Sequence, residues 1–361
     1  MRITEDARDV ICRAIIRRLF AVPVLLRYRP SVHINSMGLS SIEEIASGAS
    51  PDLRTRSEPA VFRGLAAGWP AVEAEDPAAY LLRFDQGTAI NIAVAPPASK
   101  GWLSYAPDLT ALNFTREPGT LAMLFERLRR VAGESDPPAI AAQAVMVDEA
   151  LPGFTGQNRT DLVPADVAPR IWIGNRVRVA THHDMTSNIA VVMAGRRRFT
   201  LFPPEQVANL YIGPFEFTPA GTPVSLFDPD APDLDRFPLA AEAMAQARVV
   251  ELAPGDALFI PHMWWHHVRS LDPLSILVNY WWNEAPVPQP GLAPIDAMIH
   301  ALLTFSGLPQ NQREAWRAMF DHVVFGPAPD HIPDAKRGIR GDLGEDSKER
   351  LRRQIAQMMA R

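Results

Sequence analysis

The 361-residue chain contains a single cysteine, Cys12. That excludes an internal disulfide and any Cys-based zinc module, and it suits a reducing cytoplasmic compartment. Lysine is nearly as scarce, three residues against 33 arginines. Excess charge of either sign is small: the formal net charge is -5 and the pI is about 6.0. Such a balance supplies no overall attraction toward nucleic acid or an anionic membrane, so neither is expected as a partner. Long uncharged apolar runs are missing too. Residues 10–26 are rich in apolar side chains, but Arg13, Arg17 and Arg18 interrupt them. No stretch reaches bilayer length, and no small-residue cleavage site follows, so an amphipathic helix packed on the body is expected. The Arg-rich stretches 127–130 and 348–353 read as solvated helix faces.

What is present is apolar content of 47%, with charged residues at 21%, enough for a substantial folded core. The 34 prolines favour loops and strand ends over an all-helical chain. Three zones follow. Residues 1–57 read as a helical segment, with Ser40 and Ser41 ahead of Ile42-Glu43-Glu44-Ile45 as a helix start. Residues 58–290 carry short apolar runs divided by Pro, Gly and Asp, among them Ile171-Trp172-Ile173, Asn188-Ile189-Ala190-Val191 and Ile276-Leu277-Val278-Asn279. That pattern predicts a β-sandwich or barrel, with helices inserted at 120–132 and 239–247. Residues 291–361 return to helical periodicity.

Two motifs in the strand-rich zone carry chemistry: Thr181-His182-His183-Asp184 and Pro261-His262-Met263-Trp264-Trp265-His266-His267. Side chains alternate along a strand, so His182 and Asp184 share one face, and the same face continued reaches Asn188. In the second motif His266 shares a face with Val268, and His267 shares one with Arg269. An inward Val and an outward Arg make His266 the inward residue. Two imidazoles and one carboxylate form the facial set that leaves coordination positions open on non-haem Fe(II).

These residues and their surroundings resemble the cupin-like branch of the Jumonji C family, particularly its asparaginyl hydroxylases. The matching text includes His182-His183-Asp184, Gly195-Arg196-Arg197-Arg198-Phe199, Leu201-Phe202-Pro203-Pro204 and Pro254-Gly255-Asp256. It continues through Phe259-Ile260-Pro261, Trp264-Trp265-His266-His267-Val268 and Val278-Asn279-Tyr280-Trp281. The resemblance implies a mainly β fold, a double-stranded β-helix or jelly-roll with N- and C-terminal helices. It also implies Fe(II) on His182, Asp184 and His266, with 2-oxoglutarate and dioxygen as co-substrates.

Carried over residue by residue, the resemblance places Arg197, fifteen positions after His182, where the family has a lysine for the far carboxylate of 2-oxoglutarate. Arginine can grip a carboxylate through two parallel hydrogen bonds, although it is not a neutral replacement for lysine. Asn188, Asn279 and Thr181 fall at or near co-substrate positions, and Tyr105 and Trp281 near the substrate. Two family positions differ: Val179 stands where a threonine is usual, and no tyrosine lies near residues 140–143. The expected reaction is hydroxylation of a protein, peptide or amino-acid-like small molecule. A metal-dependent cupin enzyme that uses no 2-oxoglutarate, and a non-catalytic metal-binding scaffold or sensor, remain open. The C-terminal helices resemble a homodimerising appendage, with packing on the same subunit as an equal alternative.

Overall fold

The computed structural model describes residues 41–46, 48–49, 51–283, 293–341 and 344–359. The helix expected within residues 10–26 lies outside them. The chain divides into two compact units, Met1–Glu284 and Ala285–Arg361.

Fourteen strands of the first unit form two sheets among the described residues. In chain order they are β1 (Glu43–Ile45), β2 (Ala60–Phe62), β3 (Ile90–Ala95), β4 (Trp102–Leu103), β5 (Thr115–Gly119), β6 (Ala139–Met146) and β7 (Pro169–Gly174). Then follow β8 (Arg178–His183), β9 (Ser187–Ala194), β10 (Arg197–Phe202), β11 (Arg248–Leu252), β12 (Ala257–Ile260), β13 (Trp265–Ser270) and β14 (Ser275–Trp282). The large sheet runs β1-β2-β12-β9-β14-β7-β6-β3-β5, and the small one β11-β10-β13-β8-β4. This is the expected jelly-roll with added helices.

Alternation explains how both faces of the large sheet are filled. Ala190, Val192, Leu258 and Leu277 face the small sheet and meet Phe199, Leu201, Val250 and Val268 across the sandwich. Their neighbours Ile189, Val191, Phe259 and Val278 turn the other way, onto Leu121, Leu124, Phe125 and Leu128 of the helix Leu121–Val131. A sheet buried on both faces needs near-continuous apolar strands, which is why β9 reads almost without polar residues. The outer face of the small sheet is covered as well: Phe202 and Trp265 pack with Phe227, Phe237 and Met244.

One expectation is corrected. Residues 42–45 are not a helix start; Glu43–Ile45 pairs in parallel with Ala60–Phe62. Ile42 is buried in the sandwich core, and Arg56 forms an ion pair with Glu43. Burial and edge pairing outweigh the weak local helix signal.

In the second unit, the helix Pro294–Phe305 starts with proline at its first position, and Asp296 accepts the Ala293 backbone N–H. It meets the helix Gln310–Val323 through Phe305, whose ring lies 5.3 Å from Trp316 and 5.5 Å from Phe320. A third helix spans Glu345–Met359. Among the described residues no helix is long and apolar enough to cross a membrane.

Candidate metal centre and its cavity

His182 near the end of β8 and His266 near the start of β13 are direct partners in the antiparallel register. Their ring centroids are 4.3 Å apart. Asp184 sits just beyond β8, and its carbonyl accepts the Met263 N–H at 3.1 Å. That bond ties the two sequence motifs together. The Asp184 carboxylate lies 3.7 Å from His266 Nε2, and one ligand atom from each of His182, Asp184 and His266 falls within 4.8 Å of the others.

Hydrogen bonding fixes which ring nitrogens face inward. A carbonyl can only accept, so His182 Nδ1–H donates to Ala180 O at 2.8 Å and His266 Nδ1–H donates to Trp264 O at 3.0 Å. Each Nε2 is left with its lone pair. Burial, and then the neighbouring His266, push the His182 pKa down to about 4. Burial lowers that of His266 as well. Both rings are therefore neutral at pH 7, the state a metal ligand needs. Asn188 Nδ2 donates to Asp184 Oδ2 at 3.1 Å, and Asn279 Nδ2 donates to Asn188 Oδ1 at 2.6 Å. Two neutral imidazoles and a braced carboxylate fit a divalent metal of the iron type.

A cavity opens from this centre between the sheets. Its walls include Trp172, Val179, Asn188, Arg197, Leu277, Asn279 and Trp281 besides the three candidate ligands. A β-bulge shapes one wall: Val268 pairs with Val179 and His266 with His182, so three steps along β8 match two along β13. The extra residue allows both Val179 and His182 to line the cavity, which strict alternation forbids.

Arg197 is the unusual member. It is 5% exposed, whereas Arg196 is exposed and Arg198 half-buried, and these two pair with Asp272 and Glu251. Its Nε donates to Ser275 Oγ at 2.8 Å and one terminal nitrogen reaches Trp172 O at 3.4 Å, but no carboxylate among the described residues pairs with it. Burial pushes its pKa down to about 9, so the guanidinium still carries its charge at neutral pH. A buried cation without a counter-ion is costly, and a bound anion offsets that cost.

The remaining sequence candidates are spread unevenly. Trp281 lines the cavity, its ring 6.1 Å from Trp172 and beneath the Arg170 guanidinium at 5.0 Å. Thr181 is fully buried outside the cavity lining. Tyr105 is also buried outside it; its hydroxyl donates to Pro214 O at 2.8 Å and its ring packs against Phe217. Trp172 and Ser275 were not singled out from sequence. Their parity with Arg170 and Asn279 on the inner faces of β7 and β14 was the available signal.

A second acidic and histidine cluster, Asp228, Asp230 and His267, lies near the outer face of the small sheet. His267, expected on an outward face, is completely buried there, with Nδ1–H donating to Val179 O at 2.7 Å. Arg178 pairs with Asp228 and Arg269 with Asp230, so the two carboxylates already have counter-charges. This balance reads as a structural ion cluster.

Comparison with known proteins agrees with the geometry. The profile of the cupin-like domain matches residues 49–287. The chain belongs to the cupin-like domain family. Among curated relatives of this cupin-like chain, HSPB1-associated protein 1 of Homo sapiens is 33% identical over 177 residues, 47% of this chain and 32% of that protein. The tRNA wybutosine-synthesizing protein 5 of Gallus gallus is 31% identical over 147 residues, covering 37% and 43%. A lysine-specific demethylase of Arabidopsis thaliana is 34% identical over 114 residues, covering 31% and 20%. The matched region spans less than half the length of each of these relatives.

Proposed function

We propose that this cupin-like protein is an Fe(II)- and 2-oxoglutarate-dependent oxygenase that hydroxylates a protein, peptide or amino-acid-like substrate. The observation that carries the reading is Arg197: a buried guanidinium without a carboxylate partner, in the same cavity as His182, Asp184 and His266. A dicarboxylate with one end at the metal and the other at Arg197 meets both requirements. His182, Asp184 and His266 would hold the iron, and Asn188 would keep the Asp184 carboxylate oriented. When bound, iron supplies the redox chemistry by which dioxygen converts 2-oxoglutarate to succinate and carbon dioxide and leaves one oxygen on a substrate C–H. The chain itself binds and orients, and its apolar walls of Val179, Leu277 and Phe199 restrict water.

Names of the relatives support a macromolecular substrate, since one is a demethylase for lysine and another a tRNA-modifying protein. Anaerobic titration of Fe(II) and 2-oxoglutarate tests the core of the reading. A visible metal-to-ligand charge-transfer band is expected, absent in Asp184→Ala. Bound iron without the band favours a cupin enzyme that does not use 2-oxoglutarate, and no iron binding favours a scaffold. A search for a one-oxygen mass gain in both protein and RNA fractions, against Asp184→Ala, then identifies the substrate.

A further inference from the structure

The inward-facing residues of β14 run in the order Ser275, Leu277, Asn279 and Trp281, and β7 lies beside them with Leu277 opposite Trp172. Arg197 anchors one end of this wall through Ser275, and Trp281 occupies the other. Trp172 stands between them. Its backbone carbonyl accepts from the Arg197 guanidinium, and its ring meets Trp281 edge to face.

The indole N–H of Trp172 is buried, and no acceptor among the described residues receives it. Buried donors are seldom left in that condition, because the lost hydration is not replaced. Tryptophan offers a donor and no acceptor, so the missing partner must be an oxygen or other lone-pair group. The cavity that Trp172 lines is where a ligand can supply that partner. Arg197 is short of the same thing, since its Nε is spent on the Ser275 hydroxyl while its charge lacks a carboxylate. The two needs coincide on one wall. Val179, which lines the same cavity, has an apolar side chain and can offer neither group a side-chain partner.

We propose that Trp172 is a co-substrate-binding residue whose indole N–H donates to the far carboxylate of the 2-oxo acid, beside the Arg197 guanidinium. The inference rests on the proposed function and deepens it: one carboxylate takes charge-assisted bonds from a cation and from a neutral donor. Charge assistance makes such bonds stronger than neutral ones. A tryptophan also blocks the cavity laterally, so donor and wall come from the same side chain.

The test uses full-length protein with Zn(II) in place of iron, which is diamagnetic and cannot turn over. Indole N–H resonances are recorded by 15N correlation NMR, and the Trp172 signal is identified as the one absent from Trp172→Phe. On adding 2-oxoglutarate, that resonance is expected to move downfield. Calorimetric affinity for 2-oxoglutarate should fall about tenfold in Trp172→Phe, the loss of one hydrogen bond to a charged group. Zn(II) affinity and melting temperature serve as controls and should stay unchanged. If 2-oxoglutarate binds the wild type while the Trp172 resonance stays still and the Phe variant binds equally well, the proposal is overturned and the proposed function stands. If the wild type does not bind 2-oxoglutarate at all, both fall together.

Discussion

His182 and His266 face each other across the β8–β13 pair, in register and 4.3 Å apart between ring centroids. Their Nδ1 atoms are held by backbone carbonyls two residues back in each case, Ala180 in β8 and Trp264 just ahead of β13. The placement of these two candidate ligands is therefore set by backbone pairing, and Asp184 adds the third group from just beyond β8.

Removing any one of these three groups should abolish useful metal affinity. For His266→Ala and Asp184→Ala, Fe(II) or Zn(II) affinity is expected to fall by more than about 100-fold, beyond the loss typical of an outer hydrogen-bonding partner. Chelator competition measures it. Retention of wild-type affinity in both variants would place the metal elsewhere.

Asn188 donates to the Asp184 carboxylate and would act on a bound metal through it. Asn188→Ala should lower metal affinity by about 10- to 100-fold, because Asp184 loses its brace and Asn279 loses an acceptor. Asn188→Asp should be worse than Ala, since it sets a second negative charge against Asp184. The same competition assay, run beside thermal melts, separates this from a folding defect.

Arg197 costs stability in the absence of an anion. Arg197→Met is expected to leave the apo protein at least as stable, gaining about 1 kcal/mol, because a buried unpaired charge is replaced by an apolar chain of similar length. Its requirement for 2-oxoglutarate should rise by about 100-fold or more. A drop in melting temperature together with unchanged 2-oxoglutarate affinity would assign Arg197 a purely structural role.

Asp230 supplies a pH-dependent contribution on the outer side of the small sheet. Burial alone would raise its pKa, but His267, Arg269 and Arg178 outweigh that and hold it at about 2. A carboxyl depressed in the folded state stabilises the fold above its unfolded pKa, near 4, and the contribution fades as pH falls toward 2. Wild type should therefore exceed Asp230→Asn by about 2 kcal/mol at pH 7, with the gap narrowing below pH 4. Paired melting curves across pH 2.5–7 check the sign.

Gly195 turns the chain between β9 and β10 with φ of +67°, and an added Cβ would run into the backbone carbonyl of Leu274. Gly195→Ala should destabilise by about 2 kcal/mol or more, since both the left-handed backbone and a rigid neighbour oppose it. Because the turn leads directly into Arg197, 2-oxoglutarate affinity should suffer with it. A denaturant titration measures the first effect and calorimetry the second.

The strand-rich middle was legible in the sequence because it depends on short-range alternation and on turn residues, and the jelly-roll class came from the resemblance to the Jumonji C family. Strands β5 and β6 were not. Pro118 lies in β5, and the alanines of β6 have weak strand preference, so those segments owe their conformation to pairing with β3 and β7. The residues 42–45 failed for the same reason in reverse, a local helix signal overruled by an edge pairing.

Side-chain alternation thus determined, from the sequence alone, a strand-rich core and the set His182, Asp184 and His266 as candidates for one metal, while the family resemblance added the jelly-roll class and singled out Arg197. Only the tertiary structure decided what surrounds them. The bulge in β8 turns Val179 and His182 to the same cavity, the covered outer face of the small sheet buries His267 away from the candidate metal centre, and Trp172 arrives beside Arg197 from a distant strand. Each of these depends on cross-strand register, a long-range property that local periodicity does not encode.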